Sequence, residues 1–353
     1  MGQSPDSSSY NNNCIGLPLV QGNADMCERI ATPQRYTSQP TKICEAGSII
    51  LSVRAPVGTV GKTFQKICLG RGVCGITSKN IEFMYQYLLN NENSWRHIEQ
   101  GGTFTAINSD DIKSFPIILP SLPEQKKIAD FLSLIDQRIE KQRRLVESLK
   151  KYKRGLFLKL YNDSDKSIIS FKNIYEMASE GGTPSTSDSE NYENGKIPFI
   201  KIDDLNQHYL NFAKYFITEK GLKKSSAWIV PENSIIYSNG ATIGACSINK
   251  IPVTTKQGIL GIVPKSNFSV EFLYFFFTSS IFKQKIRAIT TKGTMDCAYL
   301  KDINGIKISI PDFIAQQKIA KIMVDFENLI ERTELSFIYL QNIKKALLQQ
   351  MFI

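Results

Sequence analysis

The chain has 353 residues and a net charge of +10, and 42% of its residues are hydrophobic and 22% charged. This length predicts two or three domains with buried cores. The positive charge favours a polyanionic partner, either a nucleic acid or an acidic membrane. The longest apolar run, residues 272–277, is far shorter than the roughly 20 residues that span a bilayer, and residues 1–6 show no signal peptide. We therefore expect a soluble, cytoplasmic protein.

Few residues are suited to metal binding or catalysis. The seven cysteines lack C-x-x-C spacing and indicate reduced thiols, and two histidines, His97 and His208, are too few for an expected zinc site or Ser/His/Asp centre. Residues 70–75 fit G-x-G-x-x-G by letter, but a β-rich stretch follows where a dinucleotide site needs a helix. The sequence predicts no metal, no bound cofactor and no catalytic residue in this chain.

In chain order, the first 121 residues are rich in Gly, Pro and β-branched residues. Residues 48–53 read as a strand that is followed by a Gly/Pro turn at 55–58, and residues 81–90 read as a short helix. Residues 161–310 repeat this pattern, with a strand at 234–237, a glycine-containing turn at 239–244 and a short helix at 270–278. Both stretches indicate an α+β fold.

Each stretch is followed by a long helix whose apolar residues step alternately by four and three, which is typical of a coiled-coil seam. The seam residues of the first helix are Ile128, Leu132, Ile135, Ile139, Val146, Leu149 and Leu156. Those of the second helix are Ile319, Met323, Phe326, Ile330, Phe337, Leu340 and Leu347. Either each helix packs on its own domain, or the two helices pack on each other as an antiparallel pair; the equal length of the two arms favours the pair.

The two halves are copies of one another. Gly102-Thr103 recurs as Gly293-Thr294, 191 residues later, and Gln-Lys-Lys-Ile-Ala at 125–129 recurs as Gln-Gln-Lys-Ile-Ala at 316–320. Upstream, the offset shrinks to 186 for residues 48–52 and to 179 for residues 3–5. An offset that drifts while the order is kept indicates duplicated domains with loops of different length.

These residues resemble the specificity (S) subunit of type I restriction–modification enzymes. The likeness covers nearly the whole chain, and it lies in the Pro-Glu-Gln entry at 123–125 into the first long helix, its copy at 310–320, the Gly-Gly-Thr-Pro-Ser segment at 181–185, and residues 16–22 and 51–58. The resemblance implies a fold of class α+β, with two similar α/β target-recognition domains separated by two long antiparallel coiled-coil helices in a pseudo-two-fold symmetric arrangement.

The resemblance also implies a function. Each recognition domain would read one half of a bipartite target in double-stranded DNA, and the spacer helices would set the gap and dock two methyltransferase (modification) subunits. Restriction/translocase subunits would join the larger complex. DNA methylation with S-adenosylmethionine would belong to the methyltransferase partner, so that this chain would be non-catalytic.

The side chains best suited to DNA contact are cationic or amide groups on loops between strands, and two matched loops, 101–104 and 292–295, are candidates for close approach to the DNA backbone. In the first domain the candidates are Gln21, Asn23, Arg54, Lys62, Arg71 and Thr103. In the second domain they are Lys201, Asn239, Lys256, Gln257, Lys292 and Thr294. Arg71 and Gln257 are equivalent in the duplication, as are Arg54 and Gly240, which adjoins Asn239.

The predicted division places target-recognition domain 1 at residues 1–121, the first spacer helix at 122–160, domain 2 at 161–310 and the second spacer helix at 311–353. The second half has residues 167–179 ahead of its Gly-Gly-Thr-Pro segment. The first half shows no counterpart, so we expect domain 1 to lack its N-terminal element.

Two other functions remain open at this point: an orphan DNA-binding specificity protein, and a coiled-coil scaffold whose heads bind protein. Residues 124–160 carry eleven Lys/Arg against five Asp/Glu, a surplus that suits either DNA phosphates or an acidic partner subunit. DNA binding would weaken steeply with salt, whereas docking between apolar faces would not.

Overall fold

The computed structural model describes residues 1–98, 106–205, 207–240, 242–290 and 296–352. They belong to two compact units: unit 1 comprises residues 1–144 and 334–353, and unit 2 comprises residues 145–333. Among the described residues, no helix combines the length and apolar character needed to cross a membrane.

The described part of unit 1 contains two five-stranded sheets with short helices packed on them. Its strands are β1 (Tyr10–Asn11), β2 (Leu17–Val20), β3 (Met26–Cys27), β4 (Ile30–Ala31), β5 (Arg35–Thr37), β6 (Ile43–Cys44), β7 (Ile49–Ser52), β8 (Val60–Lys62), β9 (Ile67–Leu69) and β10 (Val73–Ile76). The sheet orders are β1-β5-β2-β9-β6 and β10-β7-β8-β4-β3. The short helices are α1 (Ile81–Asn90), α2 (Glu92–Ile98) and α3 (Ser109–Ser114).

A long helix, α4 (Leu122–Asn162), leads from unit 1 into unit 2. The strands of unit 2 are β11 (Lys166–Ser170), β12 (Tyr175–Glu180), β13 (Ile197–Ile200), β14 (Tyr209–Leu210), β15 (Phe216–Ile217), β16 (Ile235–Ser238), β17 (Cys246–Asn249), β18 (Thr254–Thr255), β19 (Ile259–Pro264) and β20 (Lys307–Pro311). Its helices are α5 (Glu219–Lys223), α6 (Val270–Thr278), α7 (Ser280–Ile289) and α8 (Leu300–Gly305), followed by the second long helix, α9 (Phe313–Met351). The sheet orders are β11-β20, β12-β19-β16-β17-β14 and β15-β13-β18.

The two units repeat the same local solutions. Strands β7 and β16 are short apolar runs in which every residue is buried, as expected for central strands. Helices α1 and α6 each begin after a polar cap, because the side chain of Asn80 accepts the Phe83 N–H and that of Ser269 accepts the Phe272 N–H. The predicted α+β class and both short helices are confirmed.

The seam residues of the long helices face inward. Every one of them is buried or half-buried, whereas adjacent apolar residues such as Leu134 and Leu145 are exposed. In unit 1 the two helices run antiparallel, because Ala129 shares a core cluster with Phe352 and, further along, Asp136 pairs with Lys344. The predicted pairing of the two helices is therefore confirmed within unit 1.

Two equivalent lysines interrupt the seam, and the structure explains both. In unit 1, Lys344 Nζ lies 2.5 Å from Asp136 Oδ1, and in unit 2, Lys153 forms an ion pair with Glu327. The duplication offset of 191 carries Lys153 onto Lys344 and Asp136 onto Glu327. Each unit therefore makes the same interhelical ion pair from opposite helices, and such a pair at a seam position selects one register.

We expect the substitution Lys344→Ala to lower the free energy of unfolding of unit 1 by about 1–2 kcal/mol, because Asp136 would lose its cationic partner in a half-buried site. The measurement is urea unfolding of the full chain, with hydrogen exchange in residues 81–90 as the probe of unit 1. Lys345→Ala, at the exposed neighbouring position, is the matched control. Equal stability of the two variants would contradict a structural role for the ion pair.

Candidate nucleic-acid interface

Five segments of unit 1 meet at the ends of strands β2, β7 and β9. The Gly70 N–H donates to the Val20 carbonyl oxygen (2.7 Å), and the Val53 N–H donates to the Gly72 carbonyl oxygen (2.9 Å). The Arg71 N–H donates to Ser4 Oγ (3.1 Å). We call this set loop cluster 1, and it comprises Ser4, residues 20–23, Val53, Arg54, residues 70–72, Ala106 and Ile107.

Unit 2 builds the same arrangement after strands β13, β16 and β18. The Lys256 N–H donates to the Ile200 carbonyl oxygen (3.0 Å), and the Asn239 N–H donates to the Gly258 carbonyl oxygen (3.1 Å). The Gln257 N–H donates to Thr183 Oγ1 (3.3 Å). Loop cluster 2 comprises Thr183, Ile200, Lys201, Asn239, Gly240, residues 256–258 and Ala298. Each of these bonds has its equivalent in loop cluster 1.

Loop cluster 1 brings four predicted DNA-binding residues together. Arg54 and Arg71 are exposed, and Gln21 and Asn23 are half-buried. The Gln21 side chain is held by Tyr10, whose hydroxyl oxygen accepts from Gln21 Nε2 at 3.1 Å. The cluster therefore presents two guanidinium groups and two amides on one set of loops.

In loop cluster 2, Lys256 and Gln257 are exposed. Lys201 is half-buried, and its Nζ lies 3.5 Å from the centroid of the Tyr215 ring, a cation–π contact. Asn239 is fully buried, and its Nδ2 donates to the Ala298 carbonyl oxygen at 3.2 Å. In this structure the Asn239 side chain supports the loops from inside and does not reach the surface.

Lys62 lies apart from loop cluster 1. It pairs with Ile49 at the start of β7, while the cluster follows the end of that strand. Its Nζ contacts Glu82 at 2.5 Å and lies 4.1 Å from the centroid of the Tyr85 ring. Three further predicted residues, Thr103, Lys292 and Thr294, and the two matched loops that contain them fall outside the residues that the structure describes.

Acidic residues hold the loops from within, a role that the sequence analysis missed. Asp25 Oδ2 accepts the Gln21 N–H (2.6 Å), and Asp204 Oδ2 accepts the equivalent Lys201 N–H (2.9 Å). Glu180 Oε1 accepts the Gly258 N–H (2.7 Å). The duplication could have revealed the two aspartates, because the offset of 179 carries Asp25 onto Asp204. These carboxylates accept hydrogen bonds from backbone N–H groups of the loops. The outward side chains of the loops are therefore the cationic and amide ones.

The side chain of His208 is packed among aromatic rings. Its ring stacks between Tyr209 and Tyr274, with both centroids 4.0 Å away. Burial, with the nearby charges of Lys153 and Lys250, lowers the pKa of His208 to about 3. A neutral, stacked imidazole of this kind belongs to the core. Among the described residues, no group of three His, Cys, Asp or Glu side chains is placed to hold a metal ion.

The family model for the type I restriction modification DNA specificity domain matches residues 4–150 and again residues 164–339. The chain belongs to this family. The two matches cover both copies of the duplication, and the resemblance to specificity subunits is thereby confirmed. The relatives are likewise specificity subunits, which bears out the prediction of a non-catalytic chain.

Two relatives in the specificity-domain family illustrate the similarity. The type I restriction enzyme MjaIX specificity subunit of Methanocaldococcus jannaschii is 33% identical over 192 residues, 54% of this chain and 44% of that protein. The EcoR124I/EcoR124II specificity subunit of Escherichia coli is 27% identical over 232 residues, 62% of this chain and 56% of that protein. The chain thus spans about half the length of these relatives.

Solved structures share the fold. The crystal structure of a type I restriction-modification system S subunit from M. genitalium matches with a TM-score of 0.58 at 18% identity, over 100% of this chain and 92% of that chain. A second solved structure comes from work on the structural basis of complex assembly and conformational transition of the type I R-M system. It matches with a TM-score of 0.63 at 15% identity, over 99% of this chain and 93% of that chain. At these identities the likeness establishes the fold.

Close packing of glycine backbones shapes loop cluster 1. A Cβ atom on Gly72 would lie 2.2 Å from the Gln21 carbonyl oxygen, whereas a Cβ on Gly22 would meet nothing within 4 Å. We expect Gly72→Ala to force the loops apart and to lower the free energy of unfolding by about 1–3 kcal/mol. Gly22→Ala is the control, with a change below about 0.5 kcal/mol. Thermal unfolding of both variants tests this, and indistinguishable melting temperatures would contradict the close approach.

Proposed function

We propose that this chain is the DNA sequence-specificity subunit of a type I restriction–modification system, and that loop clusters 1 and 2 each read one half of a bipartite target. The observation that carries the proposal is one hydrogen-bonded loop frame built twice with different outward side chains. Where loop cluster 1 has Arg54 and Arg71, loop cluster 2 has Gly240 and Gln257. A common frame with divergent side chains is suited to reading two different half-sites, because the side chains at base edges specify the sequence.

The chemistry of these side chains fits base edges in the major groove. A guanidinium such as that of Arg71 matches the two acceptors of guanine, and the amide of Gln257 matches the donor and acceptor of adenine. Lys256 adds a cation for backbone phosphates. The net charge of +10 supplies long-range attraction to the duplex.

The proposal gives this chain no chemistry of its own. S-adenosylmethionine and the methylation of DNA belong to two methyltransferase subunits that dock on the spacer helices, and restriction/translocase subunits complete the assembly in the cytoplasm, where the target DNA is. Support comes from the relatives, which are named specificity subunits of type I restriction enzymes, and from the exposed apolar residues of α4 and α9 beside the seam, among them Phe131 and Tyr339.

A half-site test examines loop cluster 2. The double substitution Lys256→Ala/Gln257→Ala should weaken discrimination at one half-site only, by about 1–3 kcal/mol for the lost base contact of Gln257, while loss of the Lys256 cation should weaken binding without changing the sequence that is read. The measurement maps adenine methylation genome-wide in cells that carry the chain with its methyltransferase partner. Lys172→Ala, an exposed lysine outside the cluster, is the matched control. Equal relaxation at both half-sites would refute the assignment of Lys256 and Gln257.

Salt dependence distinguishes this function from a protein-binding scaffold. The affinity of the purified chain and partner for target DNA should fall steeply as salt is raised, because phosphate contacts release counterions. A ligand bound with little dependence on salt, together with no change in the methylation map when the chain is removed, would favour the scaffold. Methylation directed by this chain without restriction subunits would favour an orphan specificity protein.

A spacer test examines α4 and α9. Two heptads inserted at matched positions in both helices add 14 residues to each, or about 21 Å at 1.5 Å per residue. The gap between half-sites should lengthen by about six base pairs, while the half-site sequences stay the same. The same insertion in α9 alone is the control and should destabilise the chain, because the seam loses its register. A change in half-site sequence would contradict the spacer role.

A further inference from the structure

A strand beside each loop cluster brings a further side chain to the same edge of the sheet. In unit 2 the strand order is β15-β13-β18, and Lys201 of loop cluster 2 follows the end of β13. Strands β13 and β15 are antiparallel, and the Phe199 N–H donates to the Tyr215 carbonyl oxygen at 2.9 Å. The beginning of β15 therefore lies at the edge where β13 ends, and Tyr215, directly before β15, lies beside the cluster.

Unit 1 builds the same edge with the strand order β5-β2-β9. Leu19 of β2 pairs with Arg35, the first residue of β5, and Gln21 of loop cluster 1 follows the end of β2. The offset of 180 carries Gln21 and Arg35 onto Lys201 and Tyr215, respectively. The same register thus places one pair of residues at this edge in each unit.

The two residues of each pair are diagonal neighbours on one face of the sheet. Gln21 stands two positions after Leu19, which is opposite Arg35, and side chains two positions apart on a strand point to the same face. Long or aromatic side chains reach each other across such a diagonal. In unit 2 this contact is made, because Lys201 Nζ lies 3.5 Å from the centroid of the Tyr215 ring.

The cation of each pair is accessible to a ligand. A recess of about 320 Å³ opens beside the pair of unit 2, and it is lined by Lys201 and Tyr215 together with Tyr192 and Phe216. In unit 1, Arg35 is exposed, and among the described residues its guanidinium makes no ion pair. A polar group on DNA can therefore approach either cation from outside.

We infer that the side chain at this position, Arg35 in unit 1 and Tyr215 in unit 2, specifies one guanine in each half-site. The inference rests on the function proposed above and extends the reading surface from the loops to a strand. Arg35 acts directly, because its guanidinium matches the two acceptors of guanine in the major groove. Tyr215 is a positioning residue: its ring holds the ammonium of Lys201, which donates to the same acceptors.

The difference between the two units favours base reading over phosphate contact. Phosphate contacts carry no sequence information, so the same cation would serve both units. Instead, the cation stands on β5 in unit 1, beside an amide, and after β13 in unit 2, above a phenol ring. The neighbouring loop differs in the same way, with Arg71 in unit 1 and Gln257 in unit 2.

Genome-wide mapping of adenine methylation, in cells that carry the full chain with its methyltransferase partner, tests Arg35. Arg35→Ala should relax one guanine of a single half-site, with discrimination at that position reduced at least about tenfold and the other half-site unchanged. Lys66→Ala is the matched control. Lys66 lies at the opposite end of the same sheet, directly before β9, and its Nζ is 2.7 Å from Glu45 Oε1; its loss should leave both half-sites unchanged.

Substitutions of Tyr215 separate positioning from a merely structural role in the same assay. Tyr215→Leu removes the ring and should relax one guanine of the other half-site, the same one that Lys201→Ala relaxes. Tyr215→Phe keeps the ring and gives up only a 3.5 Å contact of the hydroxyl with Asp203, so it should retain the wild-type preference. The double variant should be no more relaxed than Lys201→Ala alone, because the ring acts through the lysine.

The outcomes separate this inference from the function on which it rests. A wild-type chain that directs no methylation to a bipartite sequence would refute both. If the wild-type chain does so and Arg35→Ala keeps both half-sites, only the inference fails. Equal weakening at cognate and altered sites would make Arg35 a phosphate contact and also overturn it. Relaxation of different bases by Tyr215→Leu and Lys201→Ala would refute the positioning role.

Discussion

Burial of the heptad stripes of α4 and α9 is the constraint on which both units depend. In unit 1 the end of α9 closes the core, because Phe352 packs edge-to-face on Phe83 and Tyr87. In unit 2 the end of α4 does the same, where Tyr161 stacks on Phe276. The core of unit 1 is therefore completed by the end of α9, and the core of unit 2 by the end of α4. This is why residues 334–353 belong to unit 1 although unit 2 precedes them in the chain.

Both units contain a tyrosine hydroxyl that donates to a backbone carbonyl beside an aromatic pair, but the tyrosine stands at a different position in each unit. In unit 2 the Tyr161 hydroxyl donates to the Ser309 carbonyl oxygen at 2.7 Å and faces Phe276. In unit 1 the corresponding positions carry Phe352 and Tyr87, so the hydroxyl has moved to the short helix, where it donates to the Pro116 carbonyl oxygen at 3.2 Å. Both arrangements satisfy a backbone carbonyl beside an aromatic pair, which is what a strand packed on that core requires.

The two loop clusters likewise share the interactions that hold their backbones but differ in their outward side chains. Backbone hydrogen bonds and inward carboxylates such as Asp25 and Asp204 recur in both units, because they hold the loops at the strand ends. The outward side chains differ, as between Arg71 and Gln257. If the clusters read DNA as proposed, a change of target needs only new outward side chains and leaves the fold intact.

The sequence by itself determined the duplication, the heptad seam and the short helices at 81–90 and 270–278, because periodicity and offset are local or repeated signals. Tertiary structure decided the fate of individual side chains. It buried Asn239 against Ala298 and joined Lys62 to Glu82 away from loop cluster 1. These outcomes depend on which distant segments meet, and a pattern within one stretch of chain does not contain that information.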